Sequence, residues 1–307
     1  MREHAGGRAR VIAAIDCGTN TIKLLIGDPP DVVVRETRMV RLGQGVDRSG
    51  RLADEALTRA FAAVDDYAAL IREHDVSRIR FCATSATRDA ANGDVFAGGV
   101  HERLGVSPEV LTGDEEAALA FDGAVRHLRT PPETPVLVVD IGGGSTELVL
   151  GADNPDIAHS MDVGSVRLHE RHLHDDPPTA DQVRACVDDI DAALDASPVD
   201  PASAVTVVGV AGTTLSVVAG VLDLSSYDVE VIDQAVVPIA DVHDFVDRLV
   251  AMPLEQRLAL PWMHPGRADV IDAGALILSR VLRRMGADSL VASEADILDG
   301  IAWSIAG

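Results

Sequence analysis

The chain has 307 residues, enough for two domains and a sizeable core. Hydrophobic residues make up 47% and charged residues 24%, which excludes a disordered chain, a collagen-like chain and a disulfide scaffold. The formal net charge of −23 argues against nucleic acid or an anionic membrane as a partner, and obliges any polyanionic ligand to find local cations.

In chain order, Val11 to Asp16 reads as a buried strand ending on an acid, and Cys17-Gly18-Thr19-Asn20 as a tight turn. Thr21 to Gly27 and Val32 to Val40 read as the next two strands. Leu57, Phe61, Val64, Ala68 and Ile71 recur at helical spacing across Asp54 to His74. Arg78 to Thr84 follows as a strand, Ala86 onward as a helix, and Glu109 to Leu111 as a short strand. Asp114 to Leu128 is a helix with acids in its first turn, where the helix dipole favours them.

The pattern then restarts. Val136 to Asp140 is again an apolar strand ending on Asp, Gly142-Gly143-Gly144-Ser145-Thr146 a glycine and hydroxyl turn, and Glu147 to Gly151 a strand. Ile157 to Val163 completes the copy. This internal repeat is the main organisational signal of the chain. Thr179 and Gln182 form a helix-opening box, Ala204 to Val210 is a strand, and Thr213 to Leu222 a helix. Asp269 to Met285 is a long helix, Ser289 to Ala292 a strand, and Asp296 to Ile305 a last helix. Pro201 to Leu222 is long and uncharged, but Gly209, Gly212, Thr213 and Thr214 in mid-run favour strand, turn and helix over a membrane span. The polar opening, Met1 to Arg10, lacks the apolar run of a secretory signal. Cys17, Cys82 and Cys186 lie far apart without metal-ligand spacing, as in a reducing cytoplasm.

Three glycines let backbone N–H groups converge on an anion, so Gly142, Gly143 and Gly144, with the hydroxyls of Ser145 and Thr146, read as a phosphate loop. Asp140 at the strand end can hold a divalent cation, as can Asp16 in the other copy. Gly18, Thr19, Asn20 and Thr21 form the second loop, with Lys23, the only lysine, pointing either inward or to solvent. Two such loops on facing domains can clamp a chain of phosphates. His169, His172 and His174 read as a solvated helix end rather than a metal site, and the acids from Asp188 to Asp195 as a solvated helix face.

Ala14 to Leu24 and Val138 to Leu148 resemble the two phosphate loops of the exopolyphosphatase/guanosine-pentaphosphate phosphohydrolase (Ppx/GppA) family, within the actin-like ATPase superfamily. Further similar stretches run in order from Arg38 to Gly300. The resemblance implies an α/β fold of two actin-like (ribonuclease-H-like) domains with an interdomain cleft: residues 1–128, residues 129–292, and a last segment, 293–307, packing back on the first. It implies hydrolysis of a terminal phosphoanhydride with Mg²⁺ or Mn²⁺, and is compatible with a homodimer. By resemblance Glu116 is the catalytic base and Glu115 its neighbour; Glu147 is the rival for that role or for holding a metal-bound water. Arg88 is the favoured phosphate-binding arginine, with Arg38, Arg41, Arg167 and Arg267 as further candidates.

Inorganic polyphosphate is the leading substrate and guanosine pentaphosphate the rival within the family. An actin-like kinase or ATPase, or a non-catalytic polyphosphate or alarmone sensor, are the rivals of other classes. Longer family members carry extra C-terminal helical domains that this sequence lacks. Attraction to a cleft falls off over about 8 Å at physiological salt, which favours short polyphosphates.

Overall fold

The computed structural model describes residues 11–306; the opening segment 1–10, and Gly307 at the end of the expected last segment, lie outside the described residues. Two sheets form. The first holds β1 (Ile12–Cys17), β2 (Thr21–Asp28), β3 (Asp31–Met39), β4 (Arg78–Ala83) and β5 (Glu109–Val110) in the order β3-β2-β1-β4-β5. β1, β2 and β3 are antiparallel, while β4 and β5 add in parallel to β1.

The second sheet holds β6 (Val136–Ile141), β7 (Thr146–Gly151), β8 (Pro155–Met161), β9 (Thr206–Val210), β10 (Val236–Pro238) and β11 (Ser289–Ala292), in the order β10-β11-β9-β6-β7-β8. Read from β8, it repeats the first sheet: antiparallel β8-β7-β6, then parallel β9 and β11, with β10 added antiparallel at the edge. The doubling is the one the internal repeat predicts, and the arrangement is the actin-like (ribonuclease-H-like) one that the family resemblance implies.

β1 and β6 are buried along their whole length, which explains their unbroken apolar runs: a central strand covered on both faces does not alternate with polar residues. Ala13, Ile15 and Cys17 face a core shared with the helices Asp54–Glu73 and Gly93–Leu104. Ile12 and Ala14 face the last helix, Ile297–Ile305. The helix Gly113–Arg126 lays Ala117, Phe121 and Ala124 on the second sheet, although it follows the strands of the first. It also crosses the last helix closely. A Cβ on Gly123 would come within 1.9 Å of the Asp296 carbonyl, and one on Gly300 within 2.0 Å of the Leu119 carbonyl. Only glycine at both positions permits that approach.

Three expected elements differ. The helix from Ala86 onward is broken into Ser85–Asp89 and Gly93–Leu104, because Ala90 is extended and the Asn92 amide is tied to both the N–H and the carbonyl of Leu52. The long helix after Asp269 is confined to Ile271–Leu282. The acidic face of the helix Ala180–Ala196 is not merely solvated: Asp191 pairs with Arg280 and Arg284, and Asp189 with Arg171 and His172. No helix among the described residues is long and apolar enough to cross a membrane.

Candidate active site

A solvent-open cleft of about 1060 Å³ lies where the two β-hairpin turns meet. Gly18, Thr19, Asn20 and Thr21 line it from the first turn, and Gly142, Gly143 and Ser145 from the second. The turns are closed alike: the Gly18 N–H donates to the Thr21 carbonyl at 2.9 Å, and the Gly142 N–H to the Ser145 carbonyl at 3.0 Å. The backbone N–H groups of Thr19, Asn20, Gly143 and Gly144 have no protein acceptor among the described residues. Unpaired N–H groups are rare in folded proteins, and a cluster of them in two facing turns suits an anion.

Cross-strand register sets the charges beside these turns. Asp16 on β1 lies opposite Lys23 on β2, and Asp140 on β6 lies opposite Glu147 on β7. Lys23 points inward, its Nζ 3.7 Å from Asp16 and 2.5 Å from Asp296, which caps the last helix. These carboxylates hold the ammonium protonated, its pKa raised despite burial. Burial pushes the Asp16 carboxyl up to about 6, with Lys23 opposing. Burial also raises Asp140 to about 8, Lys23 opposing and Asp296, Glu116 and Asp16 adding repulsion. Glu147 is raised as well, by burial and by the Glu116 and Asp140 charges, while Ser160 donates to its Oε1 at 2.6 Å.

Glu116 comes from the helix Gly113–Arg126. Thr112 caps that helix: its Oγ1 accepts from the Glu115 N–H at 3.2 Å, and its own N–H donates to Glu115 at 2.9 Å. This reciprocal box holds Glu115 on the outside. The next residue, turned by about 100°, faces the cleft. Glu116 is 7% exposed, and burial raises its carboxyl to about 7 against the opposing pull of Arg88, 3.1 Å away.

Arg88 itself does not line the cleft. Its Nη1 donates to Glu116 and to the Leu111 carbonyl at 2.9 Å, so its guanidinium orients a carboxylate instead of standing free for phosphate. Thr146 is fully buried, with its hydroxyl donating to the Val163 carbonyl at 2.7 Å, and it does not line the cleft. Gly144 packs behind the wall, against Thr19 and Ser85. Arg38 pairs with Glu36 and Asp66, Arg41 with Asp269, and Arg167 with Asp47 and Asp89. Of these further candidates Arg267 alone lines the cleft, donating to Ser216 at 2.8 Å. His169 and His172 are paired to Asp272 and Asp189. The cleft also contains residues to which the sequence reading gave no role: Thr84, Ser85, Arg35, Tyr227, Glu294 and Asp296. They reach it by tertiary crossing, and their local sequence carries no loop or repeat to mark them.

The donor set fits a hard divalent cation. Asp16 Oδ1 is buried without a hydrogen-bond partner, and no side chain bonds Asp140 among the described residues. Facing carboxylates such as Asp140 and Glu147 repel unless a cation or a proton lies between them. No cluster of three or more His, Cys, Asp or Glu side chains is arranged to hold a metal among the described residues, so phosphate oxygens and water must supply the remaining ligands.

Known proteins are similar to this chain in sequence and in fold. Residues 20–306 match the Ppx/GppA phosphatase family. The chain is similar to Exopolyphosphatase 2 of Mycobacterium tuberculosis, 47% identical over 317 residues, covering 96% of this chain and 98% of that protein. Its fold is similar to that of an exopolyphosphatase from Cytophaga hutchinsonii, with a TM-score of 0.87 at 27% identity, covering 96% of this chain and 97% of that chain. It is also similar to that of the Aquifex aeolicus PPX-GPPA enzyme, with a TM-score of 0.79 at 30% identity, covering 96% and 99% of the two chains. With its doubled sheet, paired turns and a family match along nearly its whole length, the chain belongs to the Ppx/GppA phosphatase family.

Proposed function

We propose that this enzyme hydrolyses the terminal phosphoanhydride of inorganic polyphosphate and releases orthophosphate. The observation that carries this reading is Glu116: a buried carboxyl that lines the same cleft as the two turns, with burial raising its pKa to about 7. A base poised near the working pH combines ready ionisation with useful basicity. The similarity to proteins called exopolyphosphatases supports the choice of substrate.

In this reading the N–H groups of Thr19, Asn20 and Gly143 hold the terminal phosphates and spread the charge that builds on the transferring group. Ser145 and Thr19 add hydroxyl contacts. Glu116, oriented by Arg88, takes the proton of the attacking water. Asp140 with one further carboxylate, Glu147 or Asp16, would hold Mg²⁺ or Mn²⁺ together with phosphate oxygens and water, and the ion would neutralise phosphate charge when bound. Lys23, Arg35 and Arg267 supply the protein's own cations in the cleft. With a net charge of −23 the remaining surface repels a long polyanion, so short chains are the preferred substrates.

The test is phosphate release from tripolyphosphate, longer polyphosphates, guanosine pentaphosphate and ATP at matched free Mg²⁺. The highest kcat/KM is expected on short polyphosphate. A higher value on guanosine pentaphosphate would overturn the substrate assignment, and phosphate transfer from ATP to an acceptor would overturn the reaction class.

A further inference from the structure

Arg167 sits in the first turn of the helix Ser165–His172, which follows β8, and its side chain is 13% exposed. All three guanidinium nitrogens are engaged, each with a different segment. Nε donates to the Gly144 carbonyl of the second phosphate loop at 2.7 Å. Nη1 donates to Asp47 at 2.7 Å, and Nη2 to Asp89. Asp47 and Asp89 belong to the half of the chain that carries the first sheet.

Asp89 ends the five-residue helix Ser85–Asp89, whose members touch both loops and Glu116. Ser85 Oγ bonds Thr19 Oγ1 of the first loop at 2.9 Å. A Cβ on Gly144 would lie 2.6 Å from both of those hydroxyls, so the second loop packs directly on this pair. Arg88 holds Glu116. Five residues make barely more than one helical turn, too short to be stable by themselves, so their position must be held from outside.

We propose that Arg167 is a positioning residue for catalysis: it pins the Ser85–Asp89 helix to the second phosphate loop and so fixes Arg88, and through it Glu116, relative to the phosphate to be cleaved. A lysine cannot replace it, because one ammonium cannot reach three acceptors in the fixed fork of a guanidinium. The larger effect falls on the base, since Arg167 does not line the cleft and bonds the second loop through the Gly144 carbonyl, behind the cleft wall.

The assignment of a catalytic consequence rests on the proposed hydrolysis, and the test keeps the two apart. Arg167→Met and Arg167→Lys are expected to lower kcat at least tenfold on tripolyphosphate, with KM within threefold. Their acid limb of kcat/KM should move to higher pH, because Glu116 loses part of the Arg88 contact that opposes its raised pKa. In an Arg88→Gln background, Arg167→Met should cost no more than a further twofold. Asp89→Asn removes only one of the three bonds and should show a smaller loss of the same kind, should Arg167→Met fold poorly. Hydrogen exchange should quicken in residues 85–92 and 142–146 of the variants without substrate. Losses that multiply in the double variant, or a lowered Tm with unchanged kcat and pH profile, would overturn the proposal. If the unmodified enzyme releases no phosphate, the proposed function fails. The exchange comparison then decides whether Arg167 positions these segments, and unchanged exchange overturns that too.

Discussion

The two hairpins of the site are the same object built twice, with opposite electrostatics. In each, an Asp near the end of the central strand lies opposite the residue seven positions later on the next strand. In the first hairpin that residue is Lys23, and in the second it is Glu147. The first therefore carries an acid–lysine pair and keeps the Asp16 pKa at about 6. The second carries an acid–acid pair, and there burial, with the Asp296, Glu116 and Asp16 charges, raises Asp140 to about 8 against Lys23. Duplication supplied the geometry of a phosphate clamp, and one residue per copy divides its work. The first hairpin brings a cation of its own; the second is suited to recruiting one from solution.

Five expected outcomes would break or sharpen this contrast, beginning with the largest. Glu116→Gln keeps volume and removes the base, and phosphate release should fall by about 10²–10⁴-fold with the fold intact. If Glu147→Gln instead proves the deader enzyme, the base belongs to the second hairpin and the division of labour drawn here is wrong. Glu147→Lys gives both hairpins the acid–lysine pattern. It should raise the Mg²⁺ concentration for half-maximal activity by tenfold or more, read by metal titration after chelation. A Lys23→Met variant should leave that concentration nearly unchanged while raising KM.

The turns differ in packing too. A Cβ on Gly18 would meet nothing closer than 3.7 Å, whereas one on Gly144 would lie 2.6 Å from two hydroxyl groups. Gly144→Ala should thus cost about 1–3 kcal/mol in denaturant unfolding, and Gly18→Ala should be nearly neutral. Equal costs would show that the second turn yields as easily as the first.

The smallest effect concerns stability against pH without divalent metal. Asp16, Glu116 and Asp140 have folded pKa values of about 6, 7 and 8, above ordinary values of 3.8, 4.5 and 3.8. The folded protein thus binds more protons than the unfolded chain in this range, and stability is lost as pH rises from about 4 to about 8. Tm in chelator should fall from pH 5 to pH 8, and Mg²⁺ should recover part of it at pH 8. Asp140→Asn should flatten this slope more than Asp16→Asn. A Tm that rises over the same interval would contradict the buried charge described here.

The repeat, the two turns, and the strands on either side were legible in the sequence because each is local: an apolar run, an acid, glycines and hydroxyls within about ten residues. The capped helix bearing Glu115 and Glu116 was legible for the same reason, and the 100° step between neighbours already required that only one face the cleft. The cross-strand partnership of Asp140 with Glu147 is also a short-range matter, seven residues apart. What local pattern could not supply is where long side chains end. Arg88 and Arg167 lie in stretches that resemble the family and read as candidates for phosphate, yet each guanidinium is taken up by carboxylates brought from far along the chain. Lys23 was undecided between cleft and solvent until Asp296, 273 positions later, placed an N-cap carboxylate beside it. A strand or a turn follows from neighbours in sequence; the partner of a flexible charged side chain is chosen by which segments the finished fold brings within its reach.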